Sequence, residues 1–336
     1  IGSMLSYHHA NAQITNQPEP LEHEHAQQYR AQAFDDLRRL GDGSMPDIWQ
    51  AFQELRAAHD RSGAVATANW KSLGPNMMDS IGGRMTCHAF HPTIAGTILA
   101  GAGGGGLWKT TDGGDHWFPL NDDLPSLRVS AVAYNPADPE HILLGTGHYQ
   151  GVSFTLNPGI GLLESFDGGE TWMPNALAFN LAQSVSITRI VFDGTGNVFA
   201  GSSNGLWAST NNGASWNSTL SGIICDVKMI ATSPHTLYAG VRSDGVYKST
   251  DSGQQWSLLT NGLPASTAMH RVNLALSDSF PNFAVASIIS SGNFGVQGVY
   301  TTSNGGASWA AMPNPPDHVC NPSGNCLGWF VNVVAV

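Results

Sequence analysis

Three acidic residues, Asp79, Glu164 and Asp226, stand outside the recurrent turns of this chain and carry carboxylates that acid–base chemistry could use. Inverting hydrolysis of a glycosidic bond needs two such groups about 6.5–9.5 Å apart. The sequence offers no pairing among the three, and each also suits a surface or turn position. Arg84, Arg128 and Arg271 each precede a short apolar run. Grouped at one opening, they could grip a carboxylate or sulfate through forked, charge-assisted hydrogen bonds; each could instead pair with a loop acid or carbonyl of its own repeat. Tyr149, Phe154, Phe294 and Trp329 offer ring faces for a sugar, or apolar pins for long loops. Cys320 and Cys326 lie close together in a Pro/Asn/Gly segment, which fits a disulfide in an oxidising compartment or two free thiols.

Other chemistries lack their sequence signals. No G-x-S-x-G element is present. Residues 103–106 are all glycine, but no Gly-Lys-Ser/Thr follows, so they form no phosphate loop. No CxxC spacing or neighbouring His pair accompanies the cysteines, so no zinc site is expected. His8, His9, His23 and His25 fall in a polar segment that reads as a solvated tail. No metal and no cofactor is expected.

The element that must position these residues is a turn that occurs five times. Its pattern is Ser/Thr-x-Asp/Asn-x-Gly-x-x-Trp, with Asp112 and Trp117, Asp167 and Trp172, Asn211 and Trp216, Asp251 and Trp256, and Asn304 and Trp309 as the paired markers. Asp or Asn accepts hydrogen bonds from backbone N–H groups just ahead of it. Gly supplies the positive φ of the reversal. Trp packs over the turn and into the sheet behind it.

Between turns the order of apolar runs is constant. A first strand is predicted at 85–90, 129–134, 188–192, 225–230 and 272–276. A second follows at 97–101, 141–145, 197–201, 236–240 and 283–287. A third strand enters each turn and a fourth leaves from its Trp. Four strands per repeat is one propeller blade. The repeats are longest where 148–159 and 289–297 are inserted between second and third strands, and such insertions often carry function.

The chain divides into three parts. Residues 1–12 end in an A-x-A pattern and read as a signal-peptide remnant or a disordered tail. Residues 13–65 are predicted to hold two short amphipathic helices, the first with Tyr29, Ala33, Phe34, Leu37 and Leu40 on one stripe, the second starting at Pro46. Residues 66–336 are expected to be a C-terminally incomplete propeller. It opens on an outermost strand at 70–73, holds five complete blades, and begins a sixth at 330–336.

Composition agrees with an all-β fold rich in turns: 39 Gly and 10 Trp, with only 12% charged residues. A net charge of −11 argues against a nucleic-acid partner, and no apolar run of about 18 residues is present to span a membrane.

The repeated turn resembles the Asp-box, or bacterial neuraminidase repeat, a structural device on the rim of β-propellers. Residues 66–336 resemble the sortilin-type and glycosyl-hydrolase-like propellers. Trp70-Lys71-Ser72-Leu73-Gly74-Pro75, Gly82-Gly83-Arg84-Met85 and Pro158-Gly159-Ile160-Gly161 are most similar to large secreted propeller proteins of Bacteroidetes that use type IX secretion. That resemblance implies a secreted or cell-surface location. Sialidases of this superfamily grip a carboxylate with three arginines, for which Arg84, Arg128 and Arg271 are the matching candidates, but the Arg-Ile-Pro motif that opens sialidase propellers is absent. Xyloglucan hydrolases open their first blade similarly and place a catalytic Asp at the position held here by Gly103. The reading is therefore a binding scaffold for a polysaccharide or cell-surface protein, with a sialidase-like or xyloglucanase-like hydrolase, or a purely structural domain, as the alternatives.

Overall fold

The computed structural model describes residues 84–120, 124–148, 159–231, 235–315, 320 and 326. The expected tail, both helices, the opening strand at 70–73 and the strand at 330–336 lie outside the described residues, as do Asp79, Tyr149, Phe154 and Trp329.

Among the described residues, twenty strands form five antiparallel sheets, each of four strands taken in chain order. The first holds β1 (Met85–Phe90), β2 (Ile98–Ala102), β3 (Leu107–Thr110) and β4 (Phe118–Pro119). The second holds β5 (Val129–Asn135), β6 (Asp138–Thr146), β7 (Gly161–Ser165) and β8 (Met173–Ala178). The third holds β9 (Ile187–Phe192), β10 (Val198–Ser202), β11 (Gly205–Ser209) and β12 (Asn217–Leu220). The fourth holds β13 (Ile224–Ile230), β14 (Thr236–Val241), β15 (Gly245–Ser249) and β16 (Ser257–Leu259). The fifth holds β17 (Met269–Leu276), β18 (Ala284–Ser290), β19 (Val296–Thr302) and β20 (Ala310–Ala311). First strands adjoin one another in the order β1, β5, β9, β13, β17. This is the arrangement of propeller blades about an axis. Helix is confined, among the described residues, to two 3-10 turns, Leu181–Gln183 and Ser266–Ala268.

The burial pattern explains the sequence pattern. Second strands are sandwiched between neighbouring sheets, so β10 and most of β6 and β14 are buried on both faces and read as unbroken apolar runs. Fourth strands are among the most exposed of each sheet and, apart from the six-residue β8, have two to four residues. The cores lie between blades: Leu99 and Leu107 meet Val129, Leu144 and Leu163 between the first two, and Leu143 and Leu162 meet Ile187 and Val198 between the next two. Phe199 and Leu206 meet Ile224 and Leu237, and Tyr238 and Val246 meet Val272 and Ala286. Each fully buried side chain of this kind contributes about 1.5–3 kcal/mol.

Close approach of consecutive blades requires glycine near the end of the second strand. A Cβ on Gly101 would lie 2.5 Å from Val129 Cγ1, and one on Gly145 would lie 2.5 Å from Ile187 Cγ2.

Candidate binding face at the mouth of the axial channel

The five repeated turns share one hydrogen-bond scheme. The leading hydroxyl donates to the Asp or Asn oxygen at 2.7–2.9 Å, as Thr110 does to Asp112 and Ser209 to Asn211. The same hydroxyl accepts the N–H of the following Gly, from Gly114 in the first copy to Gly306 in the last. The Asp or Asn Oδ1 accepts the N–H four residues on, from His116 in the first turn and Ser308 in the fifth. Such donors favour the ionised form. They hold Asp112 and Asp251 below the usual carboxylate range, while the Thr171 hydroxyl and N–H take Asp167 down to about 2. Four of the tryptophans donate Nε1–H to the carbonyl of the turn Gly, as Trp117 does to Gly114 at 3.0 Å. The turns also clasp the preceding blade: Asn175 Nδ2 donates to Gly213 O and Tyr238 Oη to Gly305 O. They follow the third strands, whereas the first strands begin at the opposite end of each sheet. The turns are thus staples on one rim, away from the other mouth.

At that other mouth every first strand starts irregularly. The register of β1 slips between Met85 and Cys87, that of β5 between Val129 and Ala131, that of β13 between Ile224 and Asp226, and that of β17 between Met269 and Arg271. In the third blade Gly201 and Ser202 pair with Arg189 and Ile187, which leaves Thr188 as the extra residue. Bulges re-aim side chains. Here Thr86, Ser130, Thr188 and Cys225 all come to line one small cavity on the axis. A larger cavity of about 790 Å³ continues along the first strands, with Cys87, Ala131, Arg189, Asp226, Lys228 and Asn273 among its walls.

Two Arg–His contacts flank the mouth. Arg84 Nη2 meets His148 Nε2, and Arg242 Nη2 meets His270 Nε2. Both imidazoles are pushed down to about 4, by burial first and then by the nearby guanidiniums: Arg84 and Arg128 for His148, Arg242 and Arg271 for His270. Both histidines are therefore neutral at physiological pH, so the arginines carry the charge of this rim. Phe294 packs edge-on against His270 with centroids 4.9 Å apart. Its backbone φ is 58°, a left-handed conformation that is unusual for so bulky a residue.

The acids go elsewhere. Asp226, 2% exposed on β13, accepts Arg189 Nε at 2.9 Å and the Leu274 N–H at 3.0 Å. Burial opposes the Arg189 charge, but Asp226 beside it holds the guanidinium above its ordinary pKa. Glu164, on the third strand of the second blade, accepts Asn175 Nδ2 at 2.8 Å and lies 4.0 Å from His141 Nε2. Burial pushes Glu164 up against the opposing effect of Asn175. Asp226 and Glu164 stand in different blades and share no partner, so the described residues do not bring these two candidates together as an acid–base pair.

Arg84 and Arg128 directly precede β1 and β5, but Arg271 does not precede its strand. It lies inside β17, pairs with Ile289, is 5% exposed and donates Nε–H to Asn273 Oδ1 at 2.9 Å. The reason is that β18 runs on to Ser290, giving β17 three more residues at its start than the apolar run at 272–276 showed. Cys320 and Cys326 form a disulfide, while Cys87 and Cys225 are reduced thiols outside it. Among the described residues no cluster of His, Cys, Asp and Glu could hold a metal, and no helix is long and apolar enough to cross a membrane. Sequence reasoning passed over Arg189, Arg242, His148 and His270. The signal for Arg189 was a lone charge inside an otherwise uncharged strand, one repeat before the lone acid Asp226.

The family model described as photosynthesis system II assembly factor YCF48 matches residues 153–294. A xyloglucanase from a Paenibacillus species is 26% identical over 261 residues, covering 74% of this chain and 22% of that protein. A xyloglucanase from Hypocrea jecorina is 24% identical over 276 residues, covering 75% of this chain and 28% of its own length. The chain thus spans under a third of these curated relatives. Among solved structures, an ancestral GH74 enzyme superimposes with a TM-score of 0.58 at 22% identity, over 72% of this chain and 32% of that one. The chain is a β-propeller of BNR-type repeats related to the propellers of xyloglucanases.

Proposed function

We propose that this chain is a polysaccharide-binding propeller that holds a glycan across its basic, aromatic mouth without cutting it. The observation that carries this reading is at Gly103. The resemblance to xyloglucan hydrolases puts a catalytic Asp at that position. Here there is no side chain, and an added Cβ would stand 3.0 Å from Arg84 Nη2. The Arg84 guanidinium thus stands against the position from which a side chain at residue 103 would project. Of the three candidate acids, the two among the described residues are engaged elsewhere, Asp226 by Arg189 and Glu164 by Asn175.

Arg84 and Arg128 donate to sugar hydroxyls or to an acidic substituent, and Phe294 supplies a ring face. Tyr149, Phe154 and Trp329 are proposed as further contacts. Arg271, buried in the channel, is not part of this contact surface. The xyloglucanases to which the chain is similar make xyloglucan the first glycan to try. The protein works outside the cell, a reading supported by the Cys320–Cys326 disulfide and by the resemblance to propellers exported by type IX secretion.

Hydrolysis is the second reading, favoured by the likeness to xyloglucanases. It requires carboxylates other than Asp226 and Glu164, with Asp79 the candidate in this chain. Affinity electrophoresis in xyloglucan gels, run beside a reducing-end assay, separates the two. Retarded migration without new reducing ends supports binding; reducing ends that disappear in Asp79→Ala support hydrolysis.

A further inference from the structure

We propose that the Cys320–Cys326 disulfide positions Phe294 at the mouth, so that contact with the glycan depends on the closed disulfide. The functional half of this inference rests on the binding reading above; the structural half stands without it.

Phe294 lies in the turn joining β18 to β19, where the ladder is irregular. Ile288 pairs with Gly298 but Ile289 pairs with Val296, so Gln297 is an extra residue. Such a bulge disrupts pairing just where the turn begins. The turn also holds Phe294 at a φ of 58°, a conformation that persists only where the surroundings enforce it.

Two neighbours supply that enforcement, one on each shoulder of the turn. On the first, Ser291 donates its N–H to Ala268 O at 3.1 Å and its hydroxyl to Thr267 O at 2.7 Å, which ties it to the 3-10 turn Ser266–Ala268. On the second stands the disulfide. Gly295 is buried there, and a Cβ added to it would lie 3.2 Å from Cys320 Sγ. Between the shoulders, Ser290 N–H donates to Gly295 O at 2.8 Å and Gly295 N–H donates to Asn293 Oδ1 at 3.0 Å. A shift of Gly295 therefore passes directly to Phe294, its neighbour in the chain.

From Phe294 the contacts run on to the mouth. Its ring meets His270 edge-on with centroids 4.9 Å apart, and His270 Nε2 meets Arg242 Nη2. Cys320 and Cys326 are six positions apart and pair as an antiparallel bridge. The cross-link thus fixes the sulfur against which Gly295 rests. Opening it lets Cys320 Sγ turn about its own Cα–Cβ bond and removes that support.

The test compares the oxidised chain, the same chain treated with dithiothreitol, and a Cys320→Ser, Cys326→Ser double variant. Dithiothreitol breaks the Sγ–Sγ bond by supplying two electrons and two protons, leaving two thiols and its own cyclic disulfide. Cys87 and Cys225 are already thiols. Hydrogen exchange is read on peptides covering 290–295 and, as a control, β10. Exchange at 290–295 is expected to be at least about tenfold faster once the disulfide is open, with β10 unchanged. Affinity for xyloglucan oligosaccharides is expected to fall about tenfold, as in Phe294→Ala. Phe294→Ala added to the double variant should cause no further loss. Equal exchange at 290–295 in the oxidised and reduced chains, or a loss of protection shared equally by β10, overturns the proposal. So does a Phe294→Ala effect that keeps its full size in the double variant. An oxidised chain that binds no glycan defeats the binding reading instead, and the exchange result then decides the positioning role.

Discussion

Arg189 Nε lies 2.9 Å from Asp226 Oδ1, joining first strands of consecutive blades where Asp226 is 2% exposed and Arg189 30% exposed. Among the described residues, removing the arginine leaves a buried carboxylate with the Leu274 N–H for support. Arg189→Met is expected to lower stability by about 3–5 kcal/mol in urea unfolding. Arg189→Met combined with Asp226→Asn removes the stranded charge yet keeps an acceptor for Leu274. It should be clearly more stable than the single Arg189→Met variant; equal or lower stability would show that the pair is not the source of the loss.

Blade spacing supplies a second expectation. Gly145 faces Ile187, with an added Cβ only 2.5 Å from Ile187 Cγ2 and 3.2 Å from Ala131 Cβ. Gly145→Ala is expected to cost about 1–3 kcal/mol through overpacking. Gly104, whose added Cβ would meet nothing within 4 Å, is the control. Its Ala variant should melt with the wild type.

The staple turns give a third. Ser209, 1% exposed, accepts the N–H groups of Asn211 and Gly213 and donates to Asn211 Oδ1. Ser209→Ala leaves the Gly213 N–H unsatisfied in a buried turn and is expected to cost about 1–3 kcal/mol. Glycan affinity, measured by the same gel method, should not change, because this turn sits on the rim opposite the mouth.

Stability should also depend on pH through the two mouth histidines. His148 and His270 are both lowered from 6.5 to about 4 in the folded chain. The unfolded chain therefore binds more protons between these values. Their stabilising contribution is complete above about pH 6.5 and is lost as pH falls toward 4. Urea midpoints measured from pH 7.5 to 4 should fall in that window, and less so in a His148→Gln, His270→Gln double variant. An unchanged slope in that variant would place the acid sensitivity elsewhere.

The blades were legible in the chain because one turn, with its hydroxyl, carboxylate or amide, Gly and Trp, marks the end of every third strand. Counting back from it places the first and second strands. The mouth was less legible because its geometry depends on pairing between segments far apart in sequence. The two extra residue pairs of β17 and β18 moved Arg271 from a strand entrance into the strand, which the run beginning at Val272 concealed. The bulges that turn Thr86, Ser130, Thr188 and Cys225 toward the axis leave no local mark. Arg189 and Asp226 meet only because consecutive first strands pack side by side.

The mouth is proposed to bind glycan and not to cleave it. Calorimetric titration of xyloglucan oligosaccharides into the protein, with reducing ends measured in the same samples, tests it most directly. The predicted result is saturable binding, weakened at least about tenfold, or 1.4 kcal/mol, in Phe294→Ala and in Arg84→Gln, with reducing ends at the level of the blank. Reducing ends that accumulate with time, or affinity untouched in both variants, would contradict it.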